Sequence, residues 1–182
     1  SIDHDMKKKG AWTKGSTIGF GKAQPWRGST DVPLACMGPG IPSDLVVHEP
    51  VSTLDLAAWF LDMMEVAHAG LDSKSLMPVV MGTGLARPVT SAFHGFAIVQ
   101  ARFPAGGHVY KLVCCRGPCP YYQDMHPKTL AKTWEMRLFN ITADPYEEHD
   151  IFAQNSDIGA VLAESLPTAM QNCGQTEDSS QL

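Results

Sequence analysis

A chain of 182 residues suffices for one domain, or one compact domain with a tail, and is short for two large domains. With 44% hydrophobic and 18% charged residues it can bury a sizeable core, which excludes a disordered segment; Lys plus Arg at 14 against Asp plus Glu at 19 gives a net charge of −5 and no basic footprint for nucleic acid or anionic lipid. Asp55 and Asp62 interrupt the longest apolar region, so no stretch reaches the ~18 uncharged apolar residues of a membrane span, and a soluble globular chain is expected.

Residues 1 to about 31 are rich in Gly, Lys, Ser and Thr without periodicity and read as loop, the kind of segment that carries binding groups on a rigid scaffold. The run opens on Ser1-Ile2-Asp3-His4, with neither an initiator methionine nor an apolar signal centre, as the middle of a longer sequence would. Val32 to Met37 is a short apolar run closed by Gly38-Pro39-Gly40 and predicts a buried strand ending in a turn. Ser52-Thr53-Leu54-Asp55 offers a capping box, and Leu54, Ala57, Ala58, Leu61 and Met64 recur at helical spacing, predicting a helix over roughly 53–68 with Gly70 as its stop and Met63 and Met64 as core filler.

Val89 to Phe93, Phe96 to Arg102 and Val109 to Cys114 are β-rich runs separated by Gly-containing turns, notably Pro104-Ala105-Gly106-Gly107, and predict an antiparallel meander with a fourth strand at Glu135 to Ile141. Ser156 to Ser165 predicts a second helix with Pro167 past its end, and the polar stretch from Gly174 to Leu182 reads as a tail. Five cysteines cannot all pair within one chain, which leaves the redox compartment open. Cys114, Cys115 and Cys119, even with His126, lack the paired Cys-x2-Cys spacing of a zinc site, so a disulfide or buried thiols are expected there. The sequon Asn140-Ile141-Thr142 matters only in a secretory protein.

Several segments, taken in order, resemble the C-terminal half of sulfatases, sulfate-ester hydrolases with an alkaline-phosphatase-like α/β fold. Ile2-Asp3-His4 is similar to the family's strand-end metal motif, and Gly21-Lys22 followed by Val32-Pro33-Leu34 and Pro39-Gly40 is similar to its Gly-Lys…Val-Pro…Pro-Gly segment. Val51 to Leu56 resembles the family's helix opening, Leu71 to Pro78 its Asp-Gly-x-Ser-Leu-x-Pro stretch, and Tyr110-Lys111-Leu112 and Arg137 to Glu148 its Tyr-Lys-Leu and Glu-Leu-Tyr-Asp-Leu-x-x-Asp-Pro-x-Glu segments. The resemblance runs from Asp3 to about Ile151. It implies an α/β fold, α+β in the C-terminal part: an alkaline-phosphatase-like fragment with a small antiparallel sheet of about four strands packed against helices. The implied organisation is 1–50 as part of the sulfatase core with the metal and sulfate-contact loops, 51–172 as the remaining core helix and antiparallel-sheet subdomain, and 173–182 as a flexible tail.

The family's nucleophile is a formylglycine made in a Cys/Ser-x-Pro-x-Arg motif, and none of the cysteines here has that context; Ser165-Leu166-Pro167-Thr168-Ala169 comes nearest but has Ala in place of Arg. The resemblance therefore implies that the formylglycine, and most groups around the sulfate, belong to a missing N-terminal half. Asp3 and His4 are the implied metal ligands: a carboxylate oxygen and an imidazole nitrogen can share one divalent cation, calcium first by resemblance, with manganese or magnesium open to the mixed donor set. Asp5 stands where the family has Gly. Lys22 is the implied catalytic and substrate-binding residue, its ammonium pairing with the oxygens of the transferred group, and the spacing to Pro33 favours it over Lys14. Lys7, Lys8 and Lys9 read as a solvated loop face, the remaining single histidines as hydrogen-bonded or surface imidazoles, and Asp144-Pro145 as scaffold.

Family members also show Glu-Gly followed by Arg-Val-Pro, where this chain has Arg27-Gly28 and Asp31-Val32-Pro33, so the two positions are expected to form an ion pair of exchanged sign. Three functions compete: a sulfatase segment acting on a sulfate-ester substrate in the full-length protein, a phosphate or phosphonate monoester hydrolase on the same fold, and a non-catalytic binding module that retains the scaffold. The isolated chain, without the nucleophile, is expected to be inactive and to bind metal weakly. The resemblance leaves a secreted, periplasmic or lysosomal location open.

Overall fold

The computed structural model describes residues 25–93, 96–103, 106–116 and 134–166. Their centre is a four-stranded antiparallel sheet of β1 (Val89–Phe93), β2 (Phe96–Arg102), β3 (Val109–Arg116) and β4 (Trp134–Asn140), in the order β1-β2-β3-β4. The predicted meander is thus formed, each strand within two residues of its expected ends. Phe93 pairs with Phe96 and Arg102 with Val109, which are the registers that the two Gly-containing turns set. In the second turn Gly106 and Gly107 sit at φ of +81° and +65°, where a side chain would be strained.

Strand alternation sorts the apolar residues onto two covered faces. On one, Ala97, Val99, Leu112, Cys114 and Leu138 pack with Leu162 and Leu166, and Phe152 and Ile158 flank them. These residues hold α4 (Ser156–Ala163), the predicted second helix, against the sheet. On the other face Phe96, Ile98, Val113, Cys115 and Phe139 pack with Trp26, whose indole meets the Phe139 ring edge-on at 5.9 Å. Pro25 and Trp26 are buried, and the single turn α1 (Arg27–Thr30) follows directly. The edge of β4 is capped: Leu138 donates to Asp150 Oδ1 and accepts from the Ile151 N–H, which removes a free ladder edge. The sequon is built into the next turn, where Thr142 Oγ1 accepts from the Val109 N–H and Asn140 Oδ1 from the Ala143 N–H.

The first predicted helix is shorter than its periodicity suggested. A 3-10 turn at Thr53–Asp55 leads into α2 (Leu56–Met63). Ser52 Oγ accepts from the Leu54 N–H as a capping residue would, but Asp55 points inward instead of back to the cap, so the expected box is half formed. The helix stops well before Gly70. Glu65 takes a left-handed conformation, its N–H reaching the Asp62 carbonyl and the Val66 N–H reaching the Leu61 carbonyl, a Schellman closure without glycine. Met63 and Met64 are exposed, against the expectation of core filler. A second short helix, α3 (Met77–Val80), starts with Pro78 at its second position.

The run Val32 to Met37 is not a strand. It pairs with no strand among the described residues, and Val32, Leu34 and Met37 are exposed, Met37 at 94%. The physical reason is that the four strands of the meander form the sheet, with Trp26 on one face and α4 on the other, and the apolar run is left beside it without a ladder for its backbone. Leu45, Val46, Val47, Leu54, Phe60 and Val66 are exposed as well. Among the described residues no helix is long and apolar enough to cross a membrane.

Candidate functional site

Asp3, His4 and Lys22, expected from the sequence to bind metal and sulfate, lie outside the described residues, as do Lys14, Cys119, His126 and the tail. The structure does show what anchors the segment that follows them. Lys111 projects from β3 on the face that carries Trp26, and its ammonium pairs with Glu147 Oε1, both side chains being 1% exposed. The other carboxylate oxygen, Oε2, accepts the Arg27 N–H at 2.8 Å, and Lys111 Nζ also donates to Thr30 Oγ1 at 3.2 Å. Glu147 reaches this position from a left-handed backbone at φ of +59°, two residues after Pro145. One buried ion pair thus fastens α1 to the sheet. It has no opening to solvent, so it is a clamp and cannot meet a substrate.

The sign-exchanged pair at the surface forms as expected: Arg27 Nε lies 3.2 Å from Asp31 Oδ2, one helical turn apart, and Arg27 Nη1 donates to the Pro145 carbonyl. Side-chain exposures of 50% and 35% place it among the weak surface pairs, so its stabilisation is smaller than a buried pair would supply.

A second clamp joins α2 to the loop after it. Asp55, almost fully buried, accepts the Lys74 N–H at 2.9 Å and the Arg87 Nη2–H at 2.7 Å, while Ser73 Oγ accepts the Ala58 N–H at 2.9 Å, one of the amides left open in the first turn of α2. Asp62 is held as the carboxylate, below its ordinary pKa, by the Ser75 hydroxyl and then by His68, whose Nε2 lies 2.8 Å away. Arg102 ties residues 48–49 to the β2–β3 turn by pairing with Glu49 and donating to the carbonyls of His48 and Gly107.

Asp144, Glu148 and His149 bring ligand atoms within 4.8 Å of one another at the surface. Asp144 is already occupied: its two oxygens accept the Glu148 and His149 N–H groups at 3.1 and 2.8 Å, which makes it the turn residue that the Asp-Pro sequence predicts. Cys114 and Cys115 are both disulfide-bonded, which removes them as zinc ligands, and Cys36 is a free, exposed thiol. Sequence reasoning missed the partnership of Lys111 with Glu147. A lone lysine inside the apolar run Val109 to Cys115 was the signal, since such a charge is tolerated only with a buried counter-charge. Arg87 carried no comparable signal, because it follows the Gly-containing stretch Gly82 to Gly84 and precedes Pro88, outside any sustained apolar run that would demand a buried counter-charge.

No family model matches the chain. Among curated proteins it is similar to Arylsulfatase K of Danio rerio, 40% identical over 62 residues, a stretch that covers 34% of this chain and 12% of that protein. The matched stretch thus spans about one eighth of the relative's length, and it supports a sulfatase relationship for that part of the chain.

Proposed function

We propose that this chain is part of a sulfatase-like hydrolase of the alkaline-phosphatase-like fold, contributing Asp3 and His4 to a divalent metal site and Lys22 to the sulfate, with the formylglycine nucleophile on polypeptide outside this sequence. The single observation that carries the reading is the similarity to an arylsulfatase over 62 residues. The exposed apolar residues of 32–47 and α2 support it, since large apolar side chains left open in this number are what another part of a larger core would cover.

Asp3 and His4 offer one carboxylate and one imidazole, a donor set that suits calcium for its oxygen and manganese or magnesium for the mixture, and that fills a minority of a coordination shell. When bound, the cation would supply positive charge opposite the developing charge of the sulfuryl group. Lys22 would pair with the same oxygens and ease departure of the alkoxide.

The test uses the complete open reading frame that contains this chain, produced with a formylglycine-generating enzyme and assayed with 4-nitrophenyl sulfate and 4-nitrophenyl phosphate. Turnover of the sulfate that falls at least a hundredfold in Lys22→Ala, with an unchanged melting temperature, is expected. Preference for the phosphate, no turnover of either ester, or a Lys22→Ala variant with full activity overturns the assignment.

A further inference from the structure

We propose that Asn140 is an N-glycosylation site, carrying an oligosaccharide on its side-chain nitrogen at the turn that follows β4. Of the three asparagines in the sequence, Asn140, Asn155 and Asn172, only Asn140 has a Ser or Thr two residues on, with Ile141 between them, so the acceptor triplet occurs once. β4 ends at Asn140. Asn140 is half-buried there, while Thr142 and Ala143 are exposed. The triplet therefore stands at a surface turn, where a bulky, hydrated group can be carried.

The turn fixes which end of the amide is open. The Ala143 N–H reaches the Asn140 side chain at 3.2 Å, and a backbone N–H can only donate, so the carboxamide turns its oxygen to the chain. Its Nδ2 is left with no partner among the described residues. Thr142 is held in the same manner, its hydroxyl oxygen accepting the Val109 N–H at 2.9 Å. A glycan replaces one hydrogen on Nδ2 and leaves Oδ1 an acceptor, so the modified side chain keeps the hydrogen bond that closes the turn. The rest of the fold is also spared. Asn140 lies opposite Tyr110, whereas Lys111, which pairs with Glu147 beneath α1, lies opposite Phe139. Consecutive strand residues point to opposite faces, so a glycan at Asn140 starts on the face away from that clamp.

The compartment follows from the cysteines. Cys114 and Cys115 are fully buried and both disulfide-bonded, and such bonds form and persist in the oxidising lumen of a secretory route. The triplet matters only in a secretory protein, and the disulfides meet that condition independently of the triplet and of the sulfatase reading. The donor is a polyprenyl-diphosphate-linked oligosaccharide presented by an oligosaccharyltransferase. Nδ2 attacks the anomeric carbon of the first sugar. A C–N bond forms as the C–O bond to the diphosphate breaks, the lipid diphosphate leaves with the electron pair, and a base of the transferase takes one Nδ2 proton, with no change of oxidation state.

The test produces the complete open reading frame that contains this chain, with its own N-terminus, in a eukaryotic secretory host. The tryptic peptide that follows Arg137 is then weighed before and after peptide:N-glycosidase treatment in heavy-oxygen water. It should carry a glycan mass that the enzyme removes, leaving a labelled aspartate in place of Asn140. Asn140→Asp, which keeps an acceptor for the Ala143 N–H, should lose the glycan and melt with the deglycosylated wild type. Thr142→Ser should stay modified and Thr142→Ala should not. Should a variant fail to fold, the wild-type peptide still decides, because occupancy is read on it directly. An unmodified Asn140 in the folded protein, a glycan that persists on the peptide in Thr142→Ala, or Cys114 and Cys115 recovered as free thiols overturns the proposal.

Discussion

Replacing Lys111 by Met removes the cation from a site where both partners are 1% exposed. Glu147 would keep one hydrogen bond, from the Arg27 N–H, and lose the charge that makes its burial tolerable. Breaking a buried pair by deleting one partner costs about 3–5 kcal/mol, because the remaining ion is uncompensated. Glu147→Leu should cost a similar amount, since it strands the ammonium with Thr30 Oγ1 as its remaining acceptor and also frees the Arg27 N–H, an orphaned amide worth about 1–3 kcal/mol. In Lys111→Met/Glu147→Leu no charge is left inside, so only the amide and the imperfect packing remain, about 2–4 kcal/mol in total. The double variant should therefore be at least as stable as either single one, with a coupling energy of about 3 kcal/mol or more. Urea unfolding of the four proteins, followed by tryptophan fluorescence because Trp26 sits on the clamped face, measures it. Additive single costs, or a Lys111→Met cost below about 1 kcal/mol, would refute the view that this pair fastens α1 to the sheet.

Gly159→Ala should destabilise α4 in spite of alanine's better helix propensity, since the new Cβ would lie 2.6 Å from Phe152 Cε2; a loss of about 1–3 kcal/mol in thermal unfolding, relieved by Phe152→Leu, is expected. Ser73→Ala removes the acceptor of the buried Ala58 N–H and should lower stability by about 1–2 kcal/mol, with faster amide exchange confined to the first turn of α2. Reversing Asp31 to Arg should cost a few tenths of a kcal/mol, recovered when Arg27 is also made Asp; coupling above about 1 kcal/mol would show that this exposed pair is stronger than its solvation allows. The Asp62 carboxyl is lowered first by the Ser75 hydroxyl and then by His68, so its contribution to stability is complete above the ordinary carboxylate pKa and lost as pH falls through the lower folded value. Melting curves from pH 6 to 3 should therefore fall less steeply for Asp62→Asn than for the wild type.

What the sequence revealed follows the range of the interactions involved. The four strands and α4 were legible because alternation, turn glycines and the 3.6-residue repeat are local, and here both sheet faces are covered, so the pattern and the packing agree. The end of α2 was not. Backbone hydrogen bonds at Glu65 and Val66 close it without the glycine that usually marks such a stop. Val32 to Met37 misled because an apolar run says that a segment is suited to burial and not what it pairs with. Asp55 was read as a capping acid from its position before α2, whereas its partners, Lys74 and Arg87, are 19 and 32 residues away and invisible to any local rule.

The motifs that carry the resemblance, where they are described, are occupied by the fold. Asp55 holds Lys74 and Arg87, Asp144 closes its own turn, and Lys111 and Glu147 neutralise each other beneath α1. The Asp55 carboxylate and the Lys111–Glu147 pair are too deeply buried and too fully committed to offer the open atoms that a ligand or a reacting oxygen requires. Buried charges of this kind constrain a sequence as strongly as chemistry does, because losing either partner strands the other. Agreement at Tyr-Lys-Leu and Asp-Pro-x-Glu is thus agreement about a scaffold. The weight of the functional proposal falls on Asp3, His4 and Lys22, and the Lys22→Ala assay in the complete protein bears on the chemistry in a way that no further match in the C-terminal part can.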